Sequence, residues 1–179
     1  MDSLLKESEL FEGLTDGEIS PLETIARHRS LEAGEYLFLL GDNADRLYTV
    51  LKGKVEICLP LSFRGTMKDI AVESMDPGRA LGWSAFVRPY RFTLSARAAE
   101  PTEVVAFVRG EMLRVFDAEP RLGHVFSRRI AEVIGQRLFK MQALWGRELQ
   151  RTLEERLGPG SGVSQGGSPA QDQNEKHES

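Results

Sequence analysis

The sequence predicts a mainly β fold, a double-stranded β-helix or jelly roll of short antiparallel strands, with helices before and after it. Three observations predict it. From His28 to Phe107, short β-prone runs are broken at close intervals by turn residues: Ala33-Gly34, Gly41-Asp42-Asn43, Lys52-Gly53, Arg64-Gly65 and Asp76-Pro77-Gly78. That spacing is what a sandwich or barrel of small strands requires. Beyond Arg109 the periodicity changes to that of amphipathic helices. With 179 residues, 41% of them hydrophobic, the chain has material for a single core with appendages.

Residues 1–26 form an N-terminal helical segment. Leu4 to Ile25 reads as one or two short helices, with Thr15 and Asp16 as caps before Glu18 and Ile19. Residues 27–120 hold the β-roll, closed by a short helix over Glu111 to Phe116. Within this span Gly82 opens a short apolar turn from Trp83 to Val87, followed by a loop with Arg88, Pro89 and Arg91, then a β-prone run from Thr93 through Arg97 and Ala98.

Residues 121–157 form a long helix, with Pro120 well placed at its start. Ile130, Ile134, Leu138, Met141, Trp145, Leu149, Leu153 and Leu157 follow one another by fours with a single three, a stripe too wide for a strict heptad. Its first half can lie on the roll. The later part, around Leu138, Met141, Trp145, Leu149 and Leu153, calls for a second chain, and a parallel homodimer through this helix is the expectation. The alternative is a monomer whose helix folds back or frays past Gly146, where glycine costs about 1 kcal/mol relative to alanine. Arg128, Arg129, Arg137, Lys140, Arg147 and Arg151 alternate with Glu132, Glu148, Glu154 and Glu155, which reads as a solvated helix face. Residues 158–179, rich in Gly, Ser and Gln without an aromatic, read as a disordered tail.

The turn at Gly82 does not stand alone. Gly34-Glu35, Gly41-Asp42, Leu47-Tyr48-Thr49-Val50, Gly53-Lys54-Val55 and Leu10-Phe11-Glu12-Gly13-Leu14 accompany it. In order and spacing, from roughly residue 8 to residue 140, the chain resembles the cyclic-nucleotide-binding domain of the catabolite activator proteins, the kinase A regulatory subunits and the cyclic-nucleotide-gated channels. The resemblance makes Leu81 to Ala98 the phosphate-binding cassette and implies a cyclic nucleotide, cAMP or cGMP, or another small anion as ligand. It also implies a long helix that shifts against the roll when ligand binds. The tentative ligand residues are Gly82, Trp83, Ser84, Ala85, Arg88, Arg91, Phe92 and Thr93.

Two positions depart from the family pattern. The family's glutamate for the ribose 2′-hydroxyl falls at Trp83, and its arginine for the cyclic phosphate falls at Phe92. Hydrogen bonds to charged groups contribute ~1.5–3 kcal/mol each, so losing both costs on the order of 3–6 kcal/mol, or about two to four powers of ten in affinity. Two readings of the cassette follow. It is an atypical site using Arg88, Arg91, the hydroxyls of Ser84 and Thr93 and backbone N–H donors, or a pocket closed by Trp83 and Phe92. Strand alternation places Phe92 inward and turns Arg91 away.

Catalysis finds no support. His28, His124 and His177 are scattered, with no metal-ligand spacing, and Gly82-Trp83-Ser84 lacks the second glycine of a nucleophile elbow. The single cysteine, Cys58, excludes an intrachain disulfide and reads as a buried structural thiol. A net charge of −4 offers no general attraction to DNA or to an anionic membrane. No apolar run approaches the ~18 residues of a membrane span. The acidic start is unlike a secretory leader, so a cytoplasmic protein is expected. Neither length nor pattern for a helix-turn-helix follows the long helix, so DNA is not an expected partner. The expectation is a non-enzymatic regulatory or sensor module. A ligand-free dimeric scaffold is the alternative, and an activator-type transcription regulator without its DNA-binding domain is a weaker one.

Overall fold

The computed structural model describes residues 3–157; the expected tail at 158–179, with His177, lies outside them. The described residues divide into two units, one ending at Leu138 and the other beginning at Phe139. In the first unit, helix α1 (Ser3–Lys6) precedes α2 (Asp16–Ile25), and the strands are β1 (Arg27–Leu31), β2 (Tyr36–Phe38), β3 (Arg46–Lys52), β4 (Val55–Phe63), β5 (Thr66–Met75), β6 (Ala80–Leu81), β7 (Ser95–Ala98) and β8 (Thr102–Val108). Helix α3 (Arg109–Ala118) follows, and α4 (Pro120–Leu157) begins in this unit. In the second unit, residues 139–157 are helical throughout, Gly146 included.

Among the described residues, eight strands form two four-stranded antiparallel sheets, in the orders β1-β8-β3-β6 and β2-β7-β4-β5. Between the sheets lies one core, with Tyr48, Val50, Leu81, Val104 and Ala106 facing Leu37, Phe38, Val55, Ile57 and Ala96. A second core covers the other face of the first sheet. There Leu47, Leu51, Val105 and Phe107 meet Phe11, Ile19 and Leu22 of the N-terminal segment, Met112 of α3, and Leu122, Phe126, Ile130 and Val133 of α4.

Strands β3 and β8 thus bury both faces, which is why they read as continuous apolar runs. Aromatic contacts fix the second core. Phe11 meets Phe107 edge-on, with centroids 5.8 Å apart at 77°. Phe126 of α4 gathers Phe86 and Phe116, each at 4.9 Å.

Thr15 caps α2 as the sequence indicates. Its backbone N–H and its hydroxyl both donate to the Glu18 carboxylate at 2.8 Å, which holds that carboxyl below its usual range. Cys58 is fully buried, and desolvation pushes its thiol up.

One expectation about α4 is corrected. Arg137 does not lie on a solvated face: its side chain is only 13% exposed. It donates to the carbonyl of Ala80 and approaches Met75 Sδ at 3.5 Å. The carboxylates of Glu9 and Glu73 lie 3.7 and 3.9 Å away. Arg129 is likewise one-quarter exposed and donates to the carbonyl of Glu12 at 3.2 Å. The alternation of charge in the sequence carries no information about which guanidinium reaches across to a neighbouring element.

Candidate ligand site

Strand β6 delivers the chain to Gly82, whose φ of +85° is the left-handed conformation that glycine adopts without steric cost. A second constraint acts there. A Cβ at this position would lie 2.7 Å from the carbonyl oxygen of Arg46 and 3.2 Å from Cδ2 of Tyr48. Glycine is therefore required twice over, by dihedral angle and by the close approach of β3. A short 3₁₀ turn, Trp83–Phe86, follows, with Ser84 and Ala85 buried.

The residues singled out in the cassette separate into three groups. Phe92 is inside the roll, 5% exposed, its ring parallel to that of Phe38 with centroids 3.7 Å apart and planes at 12°. Its position is fixed by backbone: Phe92 N–H donates to Asp42 O at 3.0 Å, and Gly41 N–H donates to Phe92 O at 2.8 Å. Ala85 belongs to the same core. Arg88, Arg91 and Thr93 are exposed. The Arg91 guanidinium donates outside the roll, to the carbonyl of Gly41 at 2.8 Å. Trp83 is half-buried and packs against the helical core, on the other side of the first sheet from Phe92. Trp83 and Phe92 thus belong to different cores.

Two residues that the sequence reading did not select stand next to the cassette glycine. Tyr48 is 4% exposed and stacks on Phe38 at 5.9 Å. Burial pushes its phenol up, and the nearby Arg46 guanidinium opposes that shift. Arg46 shares the strand face of Tyr48 and Val50 by the two-residue period of β3. That period was legible in Leu47-Tyr48-Thr49-Val50, but which parity faced the roll was not. Among the described residues, no group of His, Cys, Asp and Glu is disposed to hold a metal ion.

Residues 28–119, just over half of the chain, match the cyclic nucleotide-binding domain family. The chain belongs to that family. The cyclic AMP receptor protein of Thermus thermophilus is 28% identical over 132 residues, which is 72% of this chain and 60% of that protein. The chain therefore spans under two-thirds of that relative's length.

Among solved structures, a cyclic nucleotide-binding protein from Geobacter metallireducens is 29% identical, with a TM-score of 0.62 over 77% of this chain and 99% of the other. The catabolite activator protein of Thermus thermophilus is 26% identical, with a TM-score of 0.62 over 76% of this chain and 63% of that one. A cyclic nucleotide-binding domain from Methylobacillus flagellatus, 18% identical with a TM-score of 0.68 over 84% of this chain and 81% of the other, shares the fold. Membership in a family of cyclic nucleotide-binding domains accords with a non-catalytic, regulatory role. No described helix is long and apolar enough to cross a membrane.

Proposed function

We propose that this chain is a non-enzymatic regulatory module of the cyclic nucleotide-binding family whose roll does not take cyclic AMP or cyclic GMP in the family's usual way. One observation supports this reading above the others. Where the family pattern has the arginine that meets the cyclic phosphate, Phe92 lies stacked on Phe38 within the core. An apolar ring there offers the phosphate no donor, and the neighbouring Arg91 is engaged outside with Gly41. The module acts as a cytoplasmic homodimer through α4, whose Trp145, Leu149 and Leu153 are 65%, 64% and 53% exposed in the single chain.

Titration with cyclic AMP and cyclic GMP, followed by tryptophan fluorescence and melting temperature, tests the reading. No change is expected up to ~1 mM of either nucleotide. A ligand at a hundredfold excess over its dissociation constant adds about 2.7 kcal/mol of stability, so a clear rise in melting temperature with either nucleotide overturns the proposal.

A further inference from the structure

The loops that leave the roll beside the cassette assemble a surface of unusual charge. Ala44 N–H donates to Tyr90 O at 2.8 Å, Asn43 bridges Arg91, and Arg109 N–H donates to Asp45 O at 2.8 Å. These bonds lace three segments together, 39–46, 87–92 and the start of α3. They collect four arginines, Arg46, Arg88, Arg91 and Arg109, at one end of the roll, in a chain whose net charge is −4. Three carboxylates lie in these segments and each is engaged: Asp42 accepts from Leu39 N–H at 3.0 Å, Asp45 lies 3.6 Å from Arg46, and Glu111 in the first turn of α3 pairs with Arg27 at 2.6 Å. Among the described residues, Arg88, Arg91 and Arg109 have no carboxylate within ion-pairing distance.

Two of these guanidinium groups are held in place. Arg91 is anchored by its bond to Gly41 O, and Arg109 lies 4.2 Å over the ring of Tyr90. Three aliphatic side chains from the same loops are exposed beside them: Leu39 at 47%, Leu40 at 46% and Val87 at 41%.

We propose that this end of the roll is a docking surface for an acidic protein segment that also carries aliphatic side chains. Charge complementarity selects the sign of the partner, and the planar, fixed guanidinium forks suit carboxylates in bidentate geometry. The exposed leucines supply apolar area that free carboxylates or phosphates would leave unused. A membrane surface is the poorer match, because attraction to anionic lipid favours mobile basic clusters rather than arginines bound to a carbonyl or an aromatic ring. The surface does not depend on a ligand inside the roll.

The test uses the full chain and a fluorescent peptide of alternating Glu and Leu, with a Gln/Leu peptide as control. Binding to the acidic peptide alone is expected, weakening at least about tenfold in Arg88→Glu/Arg91→Glu and again in Leu39→Ser/Leu40→Ser. Melting temperatures show that these variants remain folded, and Arg147→Glu on α4 retains wild-type binding. Equal binding by wild type and the arginine variant overturns the proposal, as does failure of the wild type to bind. Binding to phosphatidylserine vesicles without binding to the peptide also overturns it, in favour of a lipid surface.

Discussion

The Arg137 guanidinium donates to the carbonyl of Ala80, two residues ahead of the cassette glycine, so the long helix is bonded directly to the strand that delivers the cassette. The backbone N–H of Ala80 donates to the Glu9 carboxylate at 2.8 Å, and Glu9 in turn pairs with Arg79 at 2.7 Å. Burial lowers the pKa of the Arg137 guanidinium, but an arginine stays charged, and its charge is shared between Glu9 and Glu73.

Arg137→Ala leaves that carbonyl without its side-chain donor and removes the positive charge beside Glu9 and Glu73. A loss of about 1.5–3 kcal/mol in denaturant unfolding is expected. Arg128→Ala, at an exposed position, is expected to stay within about 0.5 kcal/mol of wild type.

Phe92→Ala opens a void against Phe38 and is expected to cost about 3–5 kcal/mol. Phe92→Arg places a guanidinium inside the roll, at the position that the resemblance gives to the family's phosphate-binding arginine, on a backbone that has the left-handed turn at Gly82. It is expected to gain cyclic nucleotide binding, measured by calorimetric titration. A folded Phe92→Arg variant with no affinity for either nucleotide would show that the cassette is not simply missing this anchor.

Gly82→Ala combines a strained dihedral with a clash against the Arg46 carbonyl, whereas a Cβ at Gly34 meets open space at a similar φ. Gly82→Ala is therefore expected to destabilise by more than ~2 kcal/mol and Gly34→Ala by about 1–2 kcal/mol, compared by thermal unfolding.

The Cys58 thiol has its pKa raised by burial. Folding thus favours its neutral form, and the associated stability is fully present below the ordinary thiol value of about 8.5. That stability is lost as the pH climbs through the raised folded value. Cys58→Ala is expected to flatten the alkaline limb of the stability profile, and a disulfide reagent at neutral pH is expected to modify Cys58 only as fast as the protein opens.

Leu149→Glu/Leu153→Glu places carboxylates on the exposed apolar stripe of α4. Sedimentation is expected to show a dimer for wild type and a monomer for this variant.

Much of this architecture could be read from residue order, and the reasons are local. Turn glycines such as Gly34, Gly41 and Gly53 all have positive φ, a demand that only a few residue types meet, so their spacing betrays the strands. Thr15 with Glu18 marks a helix start for the same reason. Phe92 turned inward as alternation indicates, although it follows an isolated bridge rather than lying within a named strand.

What could not be read depends on contacts distant in sequence. Arg137 meets Ala80 from 57 positions away. Trp83 went to the helical core because a 3₁₀ turn, unlike a strand, does not alternate its side chains between two faces. Arg109 finds Tyr90 only once α3 and the cassette loop are assembled.

Leu47 and Tyr48 are adjacent in the chain, yet one is buried among the helices and the other inside the roll. The first sheet is thus a shared wall between two packed compartments, one backbone thick. A shift of β3 that repacks Leu47 among the helices would therefore also displace Tyr48 inside the roll.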